Sequence, residues 1–216
     1  MTHLAEVPSI IGSDSINRSL SISQRTKGTL FCGPSGSGKT TIVQLMMKKF
    51  PELAFSVSAT TRDKRQDEIH GKHYYFLTPE DFQEKSLKGE FLEWEQVYES
   101  PKGFYGTLVS EVIRLRDNKS VIIFDVDVKG AMALKTYADE WDNRFDLATF
   151  FIQAPSIDIA RERIYKRQSE KAETLEMRVN RIPEELTYAD HFDHKIINDD
   201  LEETLFKVSQ ILHTFL

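Results

Sequence analysis

The stretch TLFCGPSGSGKTT, residues 29–41, decides the fold of this chain. It fits the pattern G-x-x-x-x-G-K-[ST], whose fixed positions are Gly33, Gly38, Lys39 and Thr40. The apolar run at residues 29–32 predicts a buried strand, and apolar residues at helical spacing predict a helix over 41–50. A glycine-rich turn needs neither the Lys-Thr pair nor a strand and a helix on its two sides. The stretch therefore predicts a strand, a phosphate-binding loop and a helix in succession.

The chemistry of this loop follows from its glycines. Gly33, Gly36 and Gly38 can adopt backbone conformations closed to other residues, so that successive N–H groups turn inward around a phosphate. The following helix adds its positive N-terminal end to the same place. We expect Lys39 to reach the β- and γ-phosphates of a nucleoside triphosphate and the hydroxyl of Thr40 to bind Mg²⁺.

The composition limits the partners of the chain. With 216 residues it is long enough for one core with an insertion and too short for two large domains. A net charge of −6 argues against a nucleic-acid polymer as partner, because proteins that bind one carry a basic excess. No apolar run approaches the roughly 18 residues of a membrane span, and residues 1–27 lack the features of a secretory signal. We therefore expect a cytoplasmic protein without membrane contact, with residues 1–27 as a poorly ordered extension and Cys32 as a small buried hydrophobe.

An alternating segment predicts a short strand from Phe55 to about Ser58, and a basic segment follows it. Arg62 and Arg65 can each present a fork of donors to a phosphate. Taken alone, such a pair is more often a solvated surface. Here Glu68, Gly71, Tyr74 and Tyr75 follow at once. This combination favours a phosphate clamp.

The next segment predicts a strand over 73–77, then a helix and a further strand. Thr78 is a good N-cap, Pro79 suits the first helical position, and Gly89 ends the helix after about Lys88. Residues 91–99 then alternate, which places on one face of a strand the side chains of Phe91, Glu93, Glu95 and Val97. For Glu93 the pattern favours equally a site residue and an edge-strand charge that faces solvent.

A continuous apolar run, residues 121–124, predicts a strand buried on both faces of a parallel sheet. Asp125 and Asp127 follow at its carboxyl end, where open α/β sheets bind ligands. One acid could merely cap the next helix, whereas two alternate acids are better explained as site residues. Helices are predicted over 108–117 and 130–137, and a strand over 147–153.

Basic residues are concentrated in the last third of the chain. Ser156 is a good N-cap for one helix, and Pro183 should end or kink a second. Charged runs are usually solvated helix faces. In an acidic chain, however, the cluster favours a mobile lid that faces phosphate, with the members Arg161, Arg163, Lys166, Arg167, Arg178 and Arg181. A strand over 195–198 and an amphipathic helix over 200–215 complete the predicted elements.

Together these motifs resemble the guanylate kinases, and the likeness runs from about Gly28 to the C-terminus. It rests on the ordered stretches GPSGSGKT (33–40), SVSATTRDKRQDEIHGKHYYF (56–76), EFLEW (90–94), YGT (105–107), FDVDVKGA (124–131), APS (154–156) and INDD (197–200). The resemblance implies an α/β fold in which a P-loop kinase core, a parallel sheet flanked by helices, carries a mixed β insertion for GMP and a helical lid. It also implies the reaction of ATP and GMP to ADP and GDP, with Mg²⁺ as cofactor.

The same resemblance implies one guanylate-kinase-like domain over residues 28–216. Its core is expected at 28–57, 108–160 and 190–216. The GMP-binding insertion is expected at 58–107 and the lid at about 161–189. ATP and GMP are the expected partners, and the sequence identifies no protein partner.

The resemblance assigns roles residue by residue. Expected to bind ATP are Gly33, Pro34, Ser35, Gly36, Ser37, Gly38, Lys39, Thr40 and Thr41, with Asn198 near the adenine. Expected to bind GMP are Ser58, Arg62, Arg65, Tyr74, Glu93, Tyr105, Thr107 and Asp127. The expected catalytic set is Lys39, Arg62, Asp125, Arg163, Arg167 and Arg178, and the expected metal ligands are Thr40 and Asp125.

Two other functions stay open at this point. A noncatalytic guanylate-kinase-like module would bind phosphorylated protein segments with the same arginines and tyrosines, but such modules typically have a degraded phosphate loop. A kinase for a phosphorylated sugar would keep the loop and lose the contacts to guanine. Guanine offers N1–H and N2–H donors and an O6 acceptor, and Glu93 with the hydroxyls of Ser58 and Thr107 supplies the matching groups.

Overall fold

The computed structural model describes residues 26–96, 103–118, 120–140, 145–166 and 172–216. The strands are β1 Thr26–Cys32, β2 Leu53–Phe55, β3 Ala59–Thr60, β4 Tyr75–Phe76, β5 Phe91–Gln96, β6 Phe104–Leu108, β7 Val121–Asp125, β8 Phe145–Gln153 and β9 His194–Ile197. The helices are α1 Lys39–Lys49, α2 Pro79–Leu87, α3 Val109–Asp117, α4 Val128–Glu140, α5 Ile157–Lys166, α6 Ala172–Leu186 and α7 Leu201–Phe215, with a short 3₁₀ helix at Ala189–His191. None of the described helices is long and apolar enough to span a membrane.

Five strands form one parallel sheet in the order β2-β7-β1-β8-β9. β1 is central, because it pairs with β7 on one side and with β8 along its whole length on the other. The ring of Phe31 stacks on that of Phe150, with centroids 4.5 Å apart. β1 begins at Thr26 and not at Thr29, so its first residues belong to the segment that we expected to be poorly ordered; residues 1–25 lie outside the described part of the chain.

Helices cover both faces of this sheet. On one face α3 and α4 contribute Val112, Leu115 and Leu134 to a buried cluster with Phe124. On the other face α1 and α7 bury their own apolar residues, which include Ile42, Met46, Val208 and Leu212. The predicted parallel sheet flanked by helices is therefore confirmed. Because the five strands are parallel, their carboxyl ends lie on the same side of the sheet.

Four strands form a second, mixed sheet in the order β4-β3-β6-β5. β3 is parallel to β4 and antiparallel to β6, which in turn is antiparallel to β5. Of the strand that we predicted from Phe55 to Ser58, only Phe55 lies in a strand, β2, and residues 56–58 connect β2 to β3. The backbone N–H of Ser56 still bonds to Ile123 at 3.0 Å, whereas that of Val57 bonds to the carboxylate of Glu111 at 3.2 Å. The chain leaves the parallel sheet at this point.

A register shift in β5 decides where its acidic residues point. Between Phe91 and Glu93, β5 has one residue more than its neighbour β6. Such a bulge turns the side chains before and after it to different faces. Phe91 therefore packs on Phe82, with ring centroids 4.4 Å apart, while Glu93 and Glu95 line a cleft on the other face. Our prediction that Phe91 shares a face with both glutamates is thus wrong, and Val97 lies outside the described residues.

The predicted N-caps Thr78 and Ser156 are confirmed, and of the two outcomes predicted for Pro183, a helix end or a kink, the helix end is wrong. Thr78 accepts a bond from the N–H of Asp81 at 3.0 Å, and Ser156 accepts one from that of Ile159 at 3.2 Å. Pro183 does not end its helix, because α6 continues to Leu186. Val179 and Ile182 on this helix are buried in a cluster with Ala160 and Ile164 of α5. This packing holds the helix although the proline donates no backbone hydrogen bond.

Candidate nucleotide-binding cleft

The phosphate loop, residues 33–38, joins the end of β1 to the start of α1. Gly33 has a φ of 138° and Gly36 a φ of 78°, in the region that favours glycine. A Cβ at Gly33 would lie 1.9 Å from the carbonyl oxygen of Ile152, and one at Gly36 would lie 2.4 Å from that of Ala160. β8 and α5 thus press on the loop from behind, and only glycine fits at these two positions.

Lys39 connects the loop to the end of β7. Its Nζ atom lies 3.2 Å from Oδ1 of Asp125 and donates a hydrogen bond to the carbonyl oxygen of Val126. Burial, the largest single effect, lowers the pKa of this ammonium group, but the surrounding acidic groups, Asp125 foremost and Asp127 with it, together raise it. Oδ2 of Asp125 accepts a hydrogen bond from Oγ1 of Thr40 at 3.0 Å. The parallel pairing of β1 and β7 therefore brings a fixed positive charge, a carboxylate and a hydroxyl to one point.

The loop opens into a cleft of about 460 Å³, a volume typical of sites for small ligands. Of the predicted site residues, the wall of the cleft contains Gly33, Pro34, Ser35, Gly36, Ser37, Gly38, Lys39, Thr40, Ser58, Arg62, Arg65, Tyr74, Glu93, Tyr105, Asp125, Asp127 and Arg178. Thr107 is buried behind this wall, and Thr41 is exposed on α1 outside it. Arg167 lies outside the described residues.

Glu93 lies at one end of the cleft and is only 8% exposed. Its Oε1 atom accepts a hydrogen bond from the hydroxyl of Thr107 at 2.6 Å. A Cβ on Gly130 would lie 2.9 Å from its Oε2 atom, so the missing side chain of Gly130 lets the carboxylate approach α4. Burial, together with the charge of Asp127, raises the pKa of Glu93 to about 7. These contacts exclude the alternative in which Glu93 is a solvent-facing charge on an edge strand.

Arg62 is a second charged residue in the wall of the cleft. Its guanidinium forms two hydrogen bonds with the carboxylate of Glu68, at 2.7 Å and 2.9 Å. It also lies over the rings of Tyr74 and Phe76, 5.2 Å and 5.7 Å from their centroids. The hydrogen bond from Arg62 lowers the pKa of Glu68 to about 2, so the carboxylate remains charged and keeps the arginine in place. The ring of Tyr105 lies 6.1 Å from that of Tyr74, in the same wall.

Helix α6 contacts the phosphate loop directly. Nε of Arg178 donates a hydrogen bond to Oγ of Ser35 at 3.1 Å. Glu185, on the same helix, accepts a hydrogen bond from the backbone N–H of Ser35, and burial raises the pKa of its carboxyl group. The predicted lid and the predicted phosphate loop therefore touch through Ser35.

Arg163 and Asn198 support the loop from outside the wall of the cleft. Arg163 donates a hydrogen bond to the carbonyl oxygen of Asn198 at 3.0 Å. The side-chain amide of Asn198 donates to the carbonyl oxygen of Ser37 at 2.7 Å and is buried against Gly38. In this structure both residues position the loop.

Sequence reasoning gave no site role to two residues of the wall, Glu95 and Glu185, and it named Glu68 only as a neighbour of the phosphate clamp and Arg181 only as a member of the lid. Arg181 and Glu185 are four residues apart on α6, with Nε and Oε1 at 3.6 Å. Helical spacing of opposite charges is a signal that could have found this pair. Glu68 lies in a turn and has no comparable signal. The strand spacing of Glu95 and Glu93 predicts that both share a face, but it assigns Glu95 no role in the site.

Comparison with known protein families and sequences gives the same family in both cases, and comparison with solved structures gives a similar fold. The family model for guanylate kinase matches residues 25–215. A guanylate kinase of Bacteroides thetaiotaomicron is 39% identical over 201 residues, which cover 93% of this chain and 95% of the relative. One of Salinibacter ruber is 42% identical and covers 83% of this chain and 93% of the relative. In fold, the chain is similar to the crystal structure of guanylate kinase from Anaplasma phagocytophilum, with a TM-score of 0.67 at 24% identity over 89% of this chain and 87% of that one.

Proposed function

The chain belongs to the guanylate kinase family, and we propose that it transfers the γ-phosphoryl group of ATP to GMP by direct in-line displacement. This proposal rests on the side chains that line a single cleft. Its wall contains a phosphate loop with its lysine, a buried carboxylate, Glu93, and a clamped arginine, Arg62. A donor and an acceptor nucleotide can therefore meet within it.

ATP would bind with its phosphates in the loop. The inward N–H groups and the start of α1 attract the phosphates, and Lys39 stabilises the charge that develops on the transferring group. Arg178 already reaches Ser35 of the loop, so its guanidinium lies where it can contact the same phosphates. Asn198, behind the loop, is the candidate for the adenine side.

Mg²⁺ fits the residues at the end of β7. Oγ1 of Thr40 and Oδ2 of Asp125 are 3.0 Å apart. Two oxygen ligands at neighbouring corners of an octahedron with metal–oxygen distances of about 2.1 Å are also about 3 Å apart. Mg²⁺ typically takes one or two protein oxygens and completes its shell with water and substrate phosphates. When bound, the ion would neutralise phosphate charge during transfer.

The guanine base would bind at Glu93. An ionised carboxylate can accept hydrogen bonds from N1–H and N2–H of guanine together. Adenine presents a lone pair at N1 and has no amino group at C2, so it would leave the buried charge unpaired. Ser58 and Asp127 also face the cleft and supply a hydroxyl and a further acceptor.

The phosphate of GMP would bind at the opposite end. Glu68 fixes the fork of Arg62, so little side-chain freedom is lost when a phosphate binds. Arg65 and the phenol groups of Tyr74 and Tyr105 line the same end. Burial raises the pKa of Tyr74 to about 12, so this phenol keeps its proton and can donate it to a phosphate oxygen.

The transfer step needs no covalent intermediate with the protein. A phosphate oxygen of GMP attacks the γ-phosphorus, the bond from that phosphorus to the bridging oxygen breaks, and ADP leaves with the electron pair. Cys32, at the start of the loop, is buried, and burial raises the pKa of its thiol well above the ordinary range. It therefore stays protonated and cannot serve as a nucleophile. The protein contributes position and charge.

A substrate panel tests the proposal. The purified protein is assayed for ADP release with ATP, Mg²⁺ and either GMP, AMP or ribose bisphosphate. We expect strong preference for GMP, and Glu93→Gln should reduce kcat/KM for GMP by roughly 10² or more while AMP holds or rises. Glu52→Gln, at an exposed turn, is the matched control.

Two results would overturn the proposal. Turnover of the sugar phosphate without turnover of GMP would establish the sugar-kinase alternative. Absence of turnover with all three acceptors, combined with binding of a phosphorylated peptide that Arg62→Ala abolishes, would establish the noncatalytic module.

A further inference from the structure

Glu95 is a second acidic residue in the wall of the cleft, and the proposed function does not use it. Like Glu93 it is only 8% exposed. Its Oε1 atom is buried and has no hydrogen-bond partner among the residues that the structure describes. A buried carboxylate oxygen without a donor is costly, so its retention next to a ligand site points to a donor on the ligand.

The position of Glu95 identifies the part of the nucleotide that it would meet. It follows Glu93 by two residues on β5 and faces the same side, about 7 Å further along the strand. On β6, Thr107 lies opposite Glu93 and Tyr105 lies opposite Glu95. Tyr105 in turn adjoins Tyr74 at the phosphate end of the cleft. Glu95 therefore lies one row away from the base contacts and beside the phosphate contacts, at the level of the sugar.

The chemistry of the sugar matches this carboxylate. An ionised carboxylate only accepts hydrogen bonds, and the hydroxyl groups of ribose are donors. A phosphate would be repelled from the same place, and the donors of guanine are already accounted for by Glu93. Arg62, a cation in the same wall, is held by Glu68. No other part of GMP offers a donor at this level.

We propose that Glu95 accepts a hydrogen bond from a hydroxyl of the ribose of GMP and makes the protein prefer the ribonucleotide over its deoxy analogues. The proposal rests on the proposed GMP kinase function and adds a specificity-determining residue to it. A hydrogen bond to a charged acceptor contributes enough for a preference of roughly tenfold or more.

The test compares GMP, 2′-deoxyGMP and 3′-deoxyGMP as acceptors for the wild-type protein, Glu95→Ala and Glu95→Gln. We expect the wild type to have kcat/KM roughly tenfold or more higher for GMP than for at least one deoxy analogue. Glu95→Ala should lose this preference and turn over the three nucleotides alike. Glu95→Gln, which retains an acceptor oxygen, should restore part of it. Ratios on one preparation cancel differences in folded fraction between variants.

Each outcome has a distinct meaning. Equal turnover of all three nucleotides by the wild type, or the same preference in Glu95→Ala as in the wild type, would overturn the inference and leave the GMP kinase function standing. An equal loss on all three nucleotides in Glu95→Ala would also overturn it, because Glu95 would then act through the phosphate arginines. Absence of any turnover of GMP by the wild type would instead remove the proposed function itself.

Discussion

Replacing Glu93 by glutamine should change how stability depends on pH. Burial and the nearby Asp127 raise the pKa of the Glu93 carboxyl from 4.5 to about 7 in the folded protein. The folded state therefore keeps this proton to a higher pH than the unfolded state. By linkage, the stabilising contribution is complete below pH 4.5 and is lost as pH rises through about 7. Above this window the buried charge of Glu93 destabilises the nucleotide-free protein.

The magnitude follows from these two pKa values. Between about pH 5 and about pH 8 the loss is about 2.5 kcal/mol in the free energy of unfolding, since one pKa unit corresponds to about 1.4 kcal/mol. Glutamine is neutral throughout this range and can still accept the hydrogen bond from Thr107. The stability of Glu93→Gln relative to the wild type should therefore rise by about 2.5 kcal/mol over the same interval.

The assay is urea unfolding of the nucleotide-free proteins, followed by circular dichroism at several pH values across this interval. All other titrating groups are shared, so they cancel in the difference between variant and wild type. Glu52→Gln, which replaces an exposed carboxylate by the same amide, is measured beside it as the matched control. A difference for Glu93→Gln that does not vary with pH would show that the carboxylate is solvated in the fold, and the reasoning would be refuted.

Three further outcomes are expected. Lys39→Ala should lower kcat by roughly 10²–10³, since the ammonium is expected to act on the transferring group, while calorimetry should show nearly unchanged GMP affinity. Near-normal turnover of this variant would exclude a role of Lys39 in the transfer. Gly33→Ala should lower the melting temperature far more than Gly71→Ala. Both positions have positive φ, but a Cβ at Gly33 would clash 1.9 Å from Ile152, whereas one at Gly71 would lie 3.7 Å from Tyr75. Equal effects would contradict the close packing of β8 against the loop. Small-angle scattering should show a smaller radius of gyration with GMP and an ATP analogue both saturating, as the lid and the mixed sheet close on the core to exclude water; an unchanged radius would count against closure.

The parts of the fold that local chemistry determines could be predicted from the sequence. The phosphate loop is specified by its glycines and the Lys39-Thr40 pair, and the helix starts by single capping side chains such as Thr78 and Ser156. The parallel sheet followed from apolar runs, because a strand covered on both faces needs no polar alternation.

The parts that depend on contacts between distant segments could not be predicted in this way. The register shift in β5 is defined by its pairing with β6, and no local pattern around Phe91 announces it. Pro183 was expected to end or kink its helix, but α6 continues past it because packing on α5 outweighs the missing hydrogen bond. The clamp of Glu68 on Arg62 depends on how a turn folds back, which side-chain type and spacing leave undetermined.

The two faces of the mixed sheet carry different kinds of side chain, apolar on one and acidic on the other. One face packs Phe82, Phe91 and Leu108 into an apolar cluster, which favours folding. The other face holds Glu93 and Glu95 at low exposure, which opposes folding as long as no ligand supplies donors. A regular strand would place Phe91 on the same face as Glu93 and Glu95. The bulge between Phe91 and Glu93 removes that conflict, because it places the apolar ring and the two carboxylates on opposite faces.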